Sequence, residues 1–241
     1  MDPRISVIDK RLDKVKRIIA VSGGKGGIGK SVTASTLALH LARRGLSVGL
    51  LDLDVCGPSD QVILGITGVY PEEDKGLVPP VAYGIHFMTI TFFAGNNPVP
   101  LRGQEVSNAI IEMLAITRWP ELDYLIIDMP PGTGDPALDV IRLIKRVEFL
   151  VVTTPSRVAL AMAEKELTVF RELKVKVAGV LENMRQNEDG LAAASELSGF
   201  AAPFFKPVNF DRNLEAALGN GEKLLQTAFA AQLADVAKEL G

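Results

Sequence analysis

One glycine-rich segment of the chain carries lysine and serine residues at a spacing that suits phosphate binding. The segment, which is followed by Val32, reads Gly24-Lys25-Gly26-Gly27-Ile28-Gly29-Lys30-Ser31. Glycines let the backbone wrap tightly, so that several N–H groups and the positive end of the next helix point at one anion. We therefore expect Gly24 to Val32 to line an ATP site, with Lys30 on the β- and γ-phosphates and the Ser31 hydroxyl on Mg²⁺. A glycine-rich turn without a ligand is the alternative, and the complete motif argues against it.

Three aspartates that follow apolar runs are candidates for magnesium binding and catalysis. Asp52 and Asp54 end the run that begins at Leu46, and Asp128 ends the run that begins at Tyr124. Residues two apart in a strand point the same way, so Asp52 and Asp54 can both face a nucleotide at the carboxyl edge of a sheet. We predict that Asp54 and Asp128 join Ser31 in holding Mg²⁺. Asp54 is also predicted to orient the attacking water, and Asp52 to support the magnesium shell. Turn capping remains a structural alternative for strand-end aspartates.

The elements that position these residues alternate between apolar runs of strand length and amphipathic runs of helix length. This order is typical of an α/β fold, a three-layer, doubly wound and mostly parallel sheet with helices on both faces. We predict one domain covering residues 1–241, with a long surface segment at Gly65–Gly84. The predicted strands are Arg17–Ser22, Leu46–Leu53, Ile85–Ile90, Asp123–Asp128, Val147–Thr154, Val175–Glu182 and a short one at Ala202–Lys206. The predicted helices are Ser31–Arg44, Glu105–Thr117, Pro136–Lys145, Val158–Leu173 and Glu222–Leu240.

Composition and charge argue against several classes of protein. The net charge of −3 and the pI of about 5.5 disfavour general binding to nucleic acid or to anionic membranes. The single cysteine, Cys56, excludes an internal disulfide and any metal site built from several cysteines of one chain. No apolar run approaches the roughly 20 residues of a membrane span. We therefore expect a cytoplasmic protein with neither nucleic acid nor membrane as a partner.

The second lysine of the loop, Lys25, gives the sequence a more specific resemblance. Gly-Lys-Gly-Gly-x-Gly-Lys-Ser resembles the deviant Walker A motif of the P-loop NTPase family that contains MinD, ParA, the nitrogenase iron protein and the Mrp/ApbC proteins. In that family the first lysine reaches across a dimer to the partner's phosphates. The resemblance thus implies a homodimer formed through the nucleotide face, with Lys25 acting in trans. A solvated loop lysine is the alternative.

Further segments resemble the Mrp/ApbC branch of this family, whose ATPases are associated with iron–sulfur cluster carriage. Asp128-Met-Pro-Pro-Gly-Thr-Gly-Asp135 resembles its switch II, and Asp52-Leu-Asp-Val-Cys-Gly-Pro-Ser59 its switch I. Arg102-Gly103 also matches. In relatives an asparagine in the position of Asn183 contacts adenine, and a later segment borders the base. The resemblance therefore places Asn183, Pro207 and Asp211 at the nucleotide base.

The chain departs from this branch where the branch holds its cluster. Mrp/ApbC carriers have a Cys-x-x-Cys pair soon after the Asn-Met segment, whereas here Met184 is followed by Arg-Gln-Asn-Glu-Asp-Gly-Leu. No cysteine occurs after Cys56. We therefore predict an ATPase, slow without a partner, that acts as a switch or accessory factor in the maturation of metal or iron–sulfur enzymes and carries no cluster itself. Its client would be a metalloenzyme or an assembly factor.

Other interpretations of the sequence remain open at this point. A positioning or partition ATPase like MinD or ParA is the alternative function. Cys56 could pair with its copy across a dimer to hold a metal ion. The N-terminal extension, residues 1–16, is either a helix packed on the sheet edge or an arm that binds a client.

Overall fold

The computed structural model describes residues 3–94, 101, 103–132, 134–186 and 192–241. Within these ranges the strands are β1 Val15–Ser22, β2 Val48–Asp52, β3 Glu72–Glu73, β4 Leu77–Val78, β5 Val81–Ala82, β6 Ile85–Thr89, β7 Leu122–Asp128, β8 Val147–Thr153 and β9 Lys176–Glu182. Seven of them form one sheet in the order β5-β6-β2-β7-β1-β8-β9, and β3 pairs with β4. All pairs in the large sheet are parallel except β5 with β6 at one edge. The predicted α/β class with a mostly parallel sheet is confirmed.

Helices cover both faces of the large sheet. They are α1 Pro3–Leu12, α2 Lys30–Arg43, α3 Asp60–Leu64, α4 Thr91–Ala94, α5 Gln104–Ile116, α6 Asp135–Leu143, α7 Arg157–Glu172, α8 Ala193–Glu196, α9 Leu214–Ala217, α10 Gly221–Leu225 and α11 Ala228–Leu240. One apolar cluster joins the sheet to α1, α5, α6, α7 and α8. A second cluster joins the opposite face to α2, α3, α10 and α11. The two clusters make the predicted three layers.

The central strand β1 shows why the apolar runs form this sheet. Ile18 and Ala20 point into the first cluster, whereas Ile19 and Val21 point into the second. All four side chains are fully buried. A parallel strand with helices on both faces must be apolar on both, which is why such strands appear in the sequence as continuous runs.

The final helix and the predicted short strand differ from the sequence-based expectation. Glu222–Leu240 is not one helix, because α10 ends at Leu225 and α11 starts anew after Thr227. The Thr227 hydroxyl accepts a hydrogen bond from Ala230 N (3.1 Å) and so caps α11. The strand predicted at Ala202–Lys206 is reduced to a single bridge between Phe204 and Val180. Pro203 lacks an N–H donor, so a continuous ladder cannot form there.

The N-terminal residues form part of the helical layer. Helix α1 packs on α5 and α6, and its Ile8 and Leu12 side chains are buried in the first cluster. The structure therefore favours the packed helix over a free arm. The partners of α1 are the helices α5 and α6, whereas the packed alternative predicted a position on the sheet edge.

The carboxyl ends of the parallel strands meet at one edge of the sheet. Asp52 at the end of β2 is the register partner of Asp128 at the end of β7, and Asp128 is also the partner of Val21 in β1. Ser22 is the last residue of β1, so the glycine-rich loop starts directly beside these carboxylates. Ligands of open α/β sheets bind at this edge.

Candidate functional site

The glycine-rich loop needs its glycines at defined positions. Gly27 and Gly29 have φ angles of 76° and 89°, in the left-handed region that favours glycine. A Cβ atom at Gly24 would lie 2.6 Å from the Cβ of Met162 in α7, so a larger residue there would displace the loop or the helix. The loop ends at Gly29, and α2 begins at Lys30. The loop thus wraps in front of the N-terminus of a helix, the geometry that binds phosphate.

The two lysines of the loop differ in their surroundings. Lys30 is 6% exposed, and its Nζ donates a weak hydrogen bond of 3.4 Å to the carbonyl of Lys25. Burial lowers the pKa of Lys30, and the charges of Asp128, Asp54 and Glu166 offset part of this effect. The Lys25 side chain is exposed and lines a cavity of about 400 Å³ with Pro155 and Met184. Lys30 is held at the loop, whereas Lys25 can reach outward.

Asp128 is a fully buried carboxylate with unsatisfied oxygens. Neither oxygen has a hydrogen-bond partner among the residues that the structure describes. Burial raises the pKa of Asp128 to about 7, although the nearby Ser31 hydroxyl and the Lys30 charge act in the opposite direction. Buried polar atoms without partners are rare in native proteins. A cation is the ligand that would suit these oxygens best, and the predicted role of Asp128 toward Mg²⁺ stays a prediction.

Asp52 and Asp54 lie next to each other but make different contacts. Strand β2 ends at Asp52, whose carboxylate accepts hydrogen bonds from the backbone N–H groups of Asp54 (3.1 Å) and Ser59 (3.2 Å). Burial and the Asp128 charge raise the pKa of Asp52 well above its usual value. Asp54 is half-buried, and its Oδ1 accepts from Gly57 N (3.0 Å). Both aspartates thus fix the loop that follows β2, as turn capping would require, and their predicted roles toward Mg²⁺ and water stay predictions.

Two buried acidic residues at this edge were not predicted as site residues. Asp60, the first residue of α3, is fully buried and accepts a 2.6 Å hydrogen bond from the Ser35 hydroxyl. Burial, together with the charges of Asp128 and Asp52, raises the pKa of Asp60 well above its usual value.

Glu166 in α7 is the second of these residues. It is also fully buried, and its oxygens lack hydrogen-bond partners within the described ranges. Burial raises its pKa to about 7, against the opposing effects of the Ser22 hydroxyl and the Lys30 charge. The sequence did carry a signal for Glu166, because its helical spacing from Ala163 and Phe170 places it on the buried face of α7.

Asn183 and the segment predicted at the adenine are neighbours in the structure. Asn183 is buried, and its Nδ2 donates to the Ile28 carbonyl in the loop (2.9 Å). The segment that contains Pro207 runs beside it, since Val208 N donates to the Glu182 carbonyl (2.8 Å). The Asp211 carboxylate accepts from Asn213 N (2.9 Å) and Phe229 N (3.1 Å). The structure brings Asn183 to the loop and places the segment of Pro207 beside residues 182–185. Asn183 and Asp211 have backbone partners, and contact with the base stays a prediction.

Some residues used in the sequence analysis lie outside the described ranges. They are Arg102, Thr133 in the segment that resembles switch II, and residues 187–191, which follow Met184. Cys56 is described and exposed, with its Sγ 3.7 Å from the Leu101 carbonyl oxygen. In the described part of the chain, no helix combines the length and apolar character required to cross a lipid bilayer.

The mostly parallel sheet and the phosphate loop define a P-loop NTPase fold. The chain belongs to the ParA family whose model is described as NUBPL iron-transfer P-loop NTPase, which matches residues 14–229. The predicted resemblance is thus confirmed, and nucleotide binding follows from the family.

Three known proteins show what the chain resembles, two in sequence and one in fold alone. An iron–sulfur cluster carrier protein of Pseudomonas fragi is 46% identical over 177 residues, which are 72% of this chain and 62% of that protein. The nucleotide-binding protein of Archaeoglobus fulgidus, solved in complex with ADP, is 35% identical, with a TM-score of 0.77 and coverage of 91% of this chain and 92% of that one. MinD of Pyrococcus furiosus shares the fold, with a TM-score of 0.68, 20% identity and coverage of 93% and 98%. The chain spans less than two thirds of the length of the curated relatives it matches, with shares of 62%, 49% and 48%.

Proposed function

We propose that this chain is a Mg-ATP-dependent ATPase that works as a homodimeric nucleotide switch in the maturation of metal or iron–sulfur enzymes, without carrying a cluster itself. The main support for ATPase activity is the environment of Asp128. Its two buried oxygens lack partners in the described structure, and Lys30 and Ser31 lie nearby. A carboxylate at the end of the strand beside a phosphate loop is where P-loop NTPases hold Mg²⁺. The residues present therefore fit both ATP and magnesium.

In this proposal the loop residues Gly24 to Val32 surround the phosphates, and Ser31, Asp54 and Asp128 hold the ion. Magnesium would neutralise charge on the β- and γ-phosphates. Lys30 and the partner subunit's Lys25 stabilise the charge that develops on the transferred phosphoryl group. Asp54 orients the attacking water, and Asp52 supports the magnesium shell by fixing the backbone of Asp54 (3.1 Å). The loop after Asp54 and the segment after Asp128 report the state of the nucleotide to a client.

The base is proposed to lie between Asn183 and the segment from Pro207 to Asp211. Asn183 already contacts the loop through Ile28, and the Val208 backbone is paired with Glu182 (2.8 Å), directly before Asn183. An amide side chain offers both a donor and an acceptor, which suits the edge of adenine. The whole chain, residues 1–241, is proposed to act as one ATPase domain in the cytoplasm.

The role in iron–sulfur enzyme maturation is supported by the family and by the names of the relatives. The family is described as iron-transfer NTPases, and the Pseudomonas fragi relative is named an iron–sulfur cluster carrier. The present 241 residues contain one cysteine, Cys56. Cluster iron prefers several thiolate ligands, and a dimer of this chain offers two. An accessory ATPase that engages a metalloenzyme or an assembly factor fits these facts better than a carrier.

Anaerobic reconstitution with iron and sulfide tests both parts of the proposal on one sample. Bound iron and sulfide are measured chemically, and Mg²⁺-dependent phosphate release is measured on the same protein. We expect turnover that requires Mg²⁺, together with well under four irons per dimer. Lys30→Ala, as the control, should lose turnover without any change in iron content. A stoichiometric four-iron cluster would overturn the accessory role, and turnover that survives Lys30→Ala would overturn the assigned ATP site.

A further inference from the structure

Three fully buried aspartates meet at the carboxyl edge of the sheet. Asp52, Asp60 and Asp128 each have an exposed fraction of 0%. One carboxylate oxygen of each lies within 4.8 Å of an oxygen of both others. Asp52 and Asp128 are register partners on adjacent strands, and Asp60 reaches them from the first turn of α3. The sequence does not predict this group, because Asp60 comes from a separate helix.

The group contains buried oxygens that no described residue satisfies. The Oδ1 atom of Asp60 accepts from the Ser35 hydroxyl (2.6 Å), but its Oδ2 has no partner within the described ranges. Both oxygens of Asp128 are also without partners there. Among the described residues, the positive charge of Lys30 acts on Asp128. When ionised, the three carboxylates outnumber this ammonium, and an uncompensated buried charge is costly, in agreement with their raised pKa values.

We propose that Asp60, with Asp52 and Asp128, forms a site that binds one Mg²⁺ ion before nucleotide arrives. The ligands are oxygens only, the donor set that hard divalent cations prefer. Octahedral Mg²⁺ with bonds of about 2.1 Å spaces its ligands about 3 to 4.2 Å apart. The three carboxylate oxygens all lie within 4.8 Å of one another, so only small movements would bring them to these distances. The inference shares Asp128 with the proposed Mg-ATP site, yet it requires no ATP. It assigns a metal-binding role to Asp60, which the nucleotide site does not use.

Occupancy of this site would also fix the loop that follows β2. Asp52 accepts hydrogen bonds from Ser59 N (3.2 Å) and Asp60 N (3.4 Å), so its carboxylate ties both ends of the loop 53–59 together. A cation that joins Asp52 and Asp60 adds a second connection across the same loop. Magnesium thereby prepares the loop that carries Asp54 before ATP binds.

The test uses Mn²⁺ as a spectroscopic substitute for Mg²⁺ on the nucleotide-free protein. After treatment with a chelator and buffer exchange, free Mn²⁺ is followed by electron paramagnetic resonance during a titration. We expect one Mn²⁺ per chain for the wild type and at least a tenfold weaker affinity for Asp60→Asn. Asp9→Asn, which removes an exposed carboxylate of α1, is the matched control and should bind like the wild type. An Asp60→Asn variant that keeps the wild-type affinity, or a wild type that takes up no Mn²⁺, would overturn the inference.

Thermal unfolding separates a metal ligand from a residue that is only structural. In chelator, Asp60→Asn should melt at a higher temperature than the wild type, because repulsion in the group falls while the amide oxygen can still accept from Ser35. Added Mg²⁺ should raise the melting temperature of the wild type and not that of the variant. An equal Mg²⁺ response in both proteins would refute the assignment.

Two further measurements keep the result interpretable. If Asp60→Asn does not fold, Ser35→Ala removes the hydrogen bond that holds Asp60 but leaves its carboxylate. That variant should bind Mn²⁺ several-fold more weakly, and an unchanged affinity would overturn the inference.

Binding of labelled ATP by the wild type is measured in parallel. ATP binding without nucleotide-free Mn²⁺ uptake defeats this inference alone, and Mn²⁺ uptake without ATP binding defeats the proposed function alone.

Discussion

Lys30 and Asp128 have pKa values that shift in opposite directions for the same reason. Burial disfavours the charged form of each side chain, so the pKa of Lys30 falls while that of Asp128 rises to about 7. Each charge is stabilised by a partner of opposite sign, and a phosphate with its magnesium ion supplies both at once. The opposite pKa shifts of Lys30 and Asp128 therefore agree with the proposed Mg-ATP site, in which Lys30 would face a phosphate and Asp128 a cation.

The role of Lys25 can be tested by substitution. Lys25→Ala should leave ATP affinity within about threefold of the wild type, because the side chain is exposed and is proposed to act on the partner's nucleotide. Turnover should fall at least about 100-fold, since a positive charge supplied in trans is worth about 10³ to 10⁵ in related NTPases. Phosphate release and binding of a fluorescent ATP analogue measure the two quantities. Lys10→Ala, an exposed lysine of α1, is the control and should change neither.

Mixing two inactive variants tests whether Lys25 acts in trans. Lys25→Ala retains its own Lys30, and Lys30→Ala retains Lys25, so a mixed dimer rebuilds one complete site. Part of the turnover should return on mixing. Undiminished activity of Lys25→Ala alone, or no recovery in the mixture, would contradict the assignment.

The sequence predicted the local part of this site better than the part built by tertiary packing. The geometry around Lys30 and Ser31 follows from one contiguous motif, and Asp128 ends a run whose apolar character makes it a buried strand. Asp60 could not be predicted, because its burial depends on the packing of α3 against α2 through Ser35 (2.6 Å). The contact of Asn183 with Ile28 likewise joins residues 155 positions apart.

At the scale of elements, the break between α10 and α11 shows where periodicity misleads. Leu225 and Phe229 are four residues apart, so the apolar spacing continues across the break as it would in one helix. The hydroxyl of Thr227 instead accepts from Ala230 N (3.1 Å) and donates to the Leu224 carbonyl (2.7 Å). A threonine in this position ends one helix and caps the start of the next. Here the hydrogen bonds of its hydroxyl determine the helix boundary, although the apolar spacing favours one continuous helix.

The contribution of this cap to stability follows from the same contacts. Thr227→Ala should lower the free energy of unfolding by about 1 kcal/mol, the usual value for a lost N-cap. Thr168→Ala is the matched control, because its exposed hydroxyl donates to the Glu164 carbonyl within α7 (2.9 Å) and so does not cap a helix N-terminus. Its effect should stay within about 0.5 kcal/mol. Urea titration followed by circular dichroism measures both, and equal losses would show that Thr227 does not act as a cap.

At the scale of the whole molecule, a partly buried ion network joins distant parts of the chain. Arg17 in β1 donates two hydrogen bonds to Glu148 in β8 (3.0 and 2.8 Å), and Lys176 in β9 lies 3.2 Å from the same carboxylate. Arg17 also bonds the carbonyl of Leu240, the last residue of α11. The network therefore connects three strands with the end of the last helix. Sequence alone could not predict it, because each partner comes from a different element.

Acid stability tests this network. Burial would raise the pKa of Glu148, but the hydrogen bonds and charges of Arg17 and Lys176 outweigh it and hold the pKa below the usual 4.5. A carboxylate with a lowered pKa stabilises the folded state above its unfolded pKa, and the stabilisation is lost as the pH falls through the folded pKa. Glu148→Gln should therefore cost about 1 to 2 kcal/mol at pH 7, because it removes charge-assisted hydrogen bonds at a partly exposed site. The difference from wild type should shrink below about pH 4.5.

Urea unfolding of wild type and Glu148→Gln at several pH values between neutral and acid measures this difference. Glu239→Gln, an exposed glutamate of α11, is the control and should follow the wild type throughout. If the free energies of unfolding of wild type and Glu148→Gln differ by the same amount at every pH, Glu148 stabilises the fold through packing. The charge of Glu148 would then contribute nothing to the network. A difference that disappears in acid would show that the ionised Glu148 carboxylate stabilises the fold through Arg17, which also contacts the end of α11.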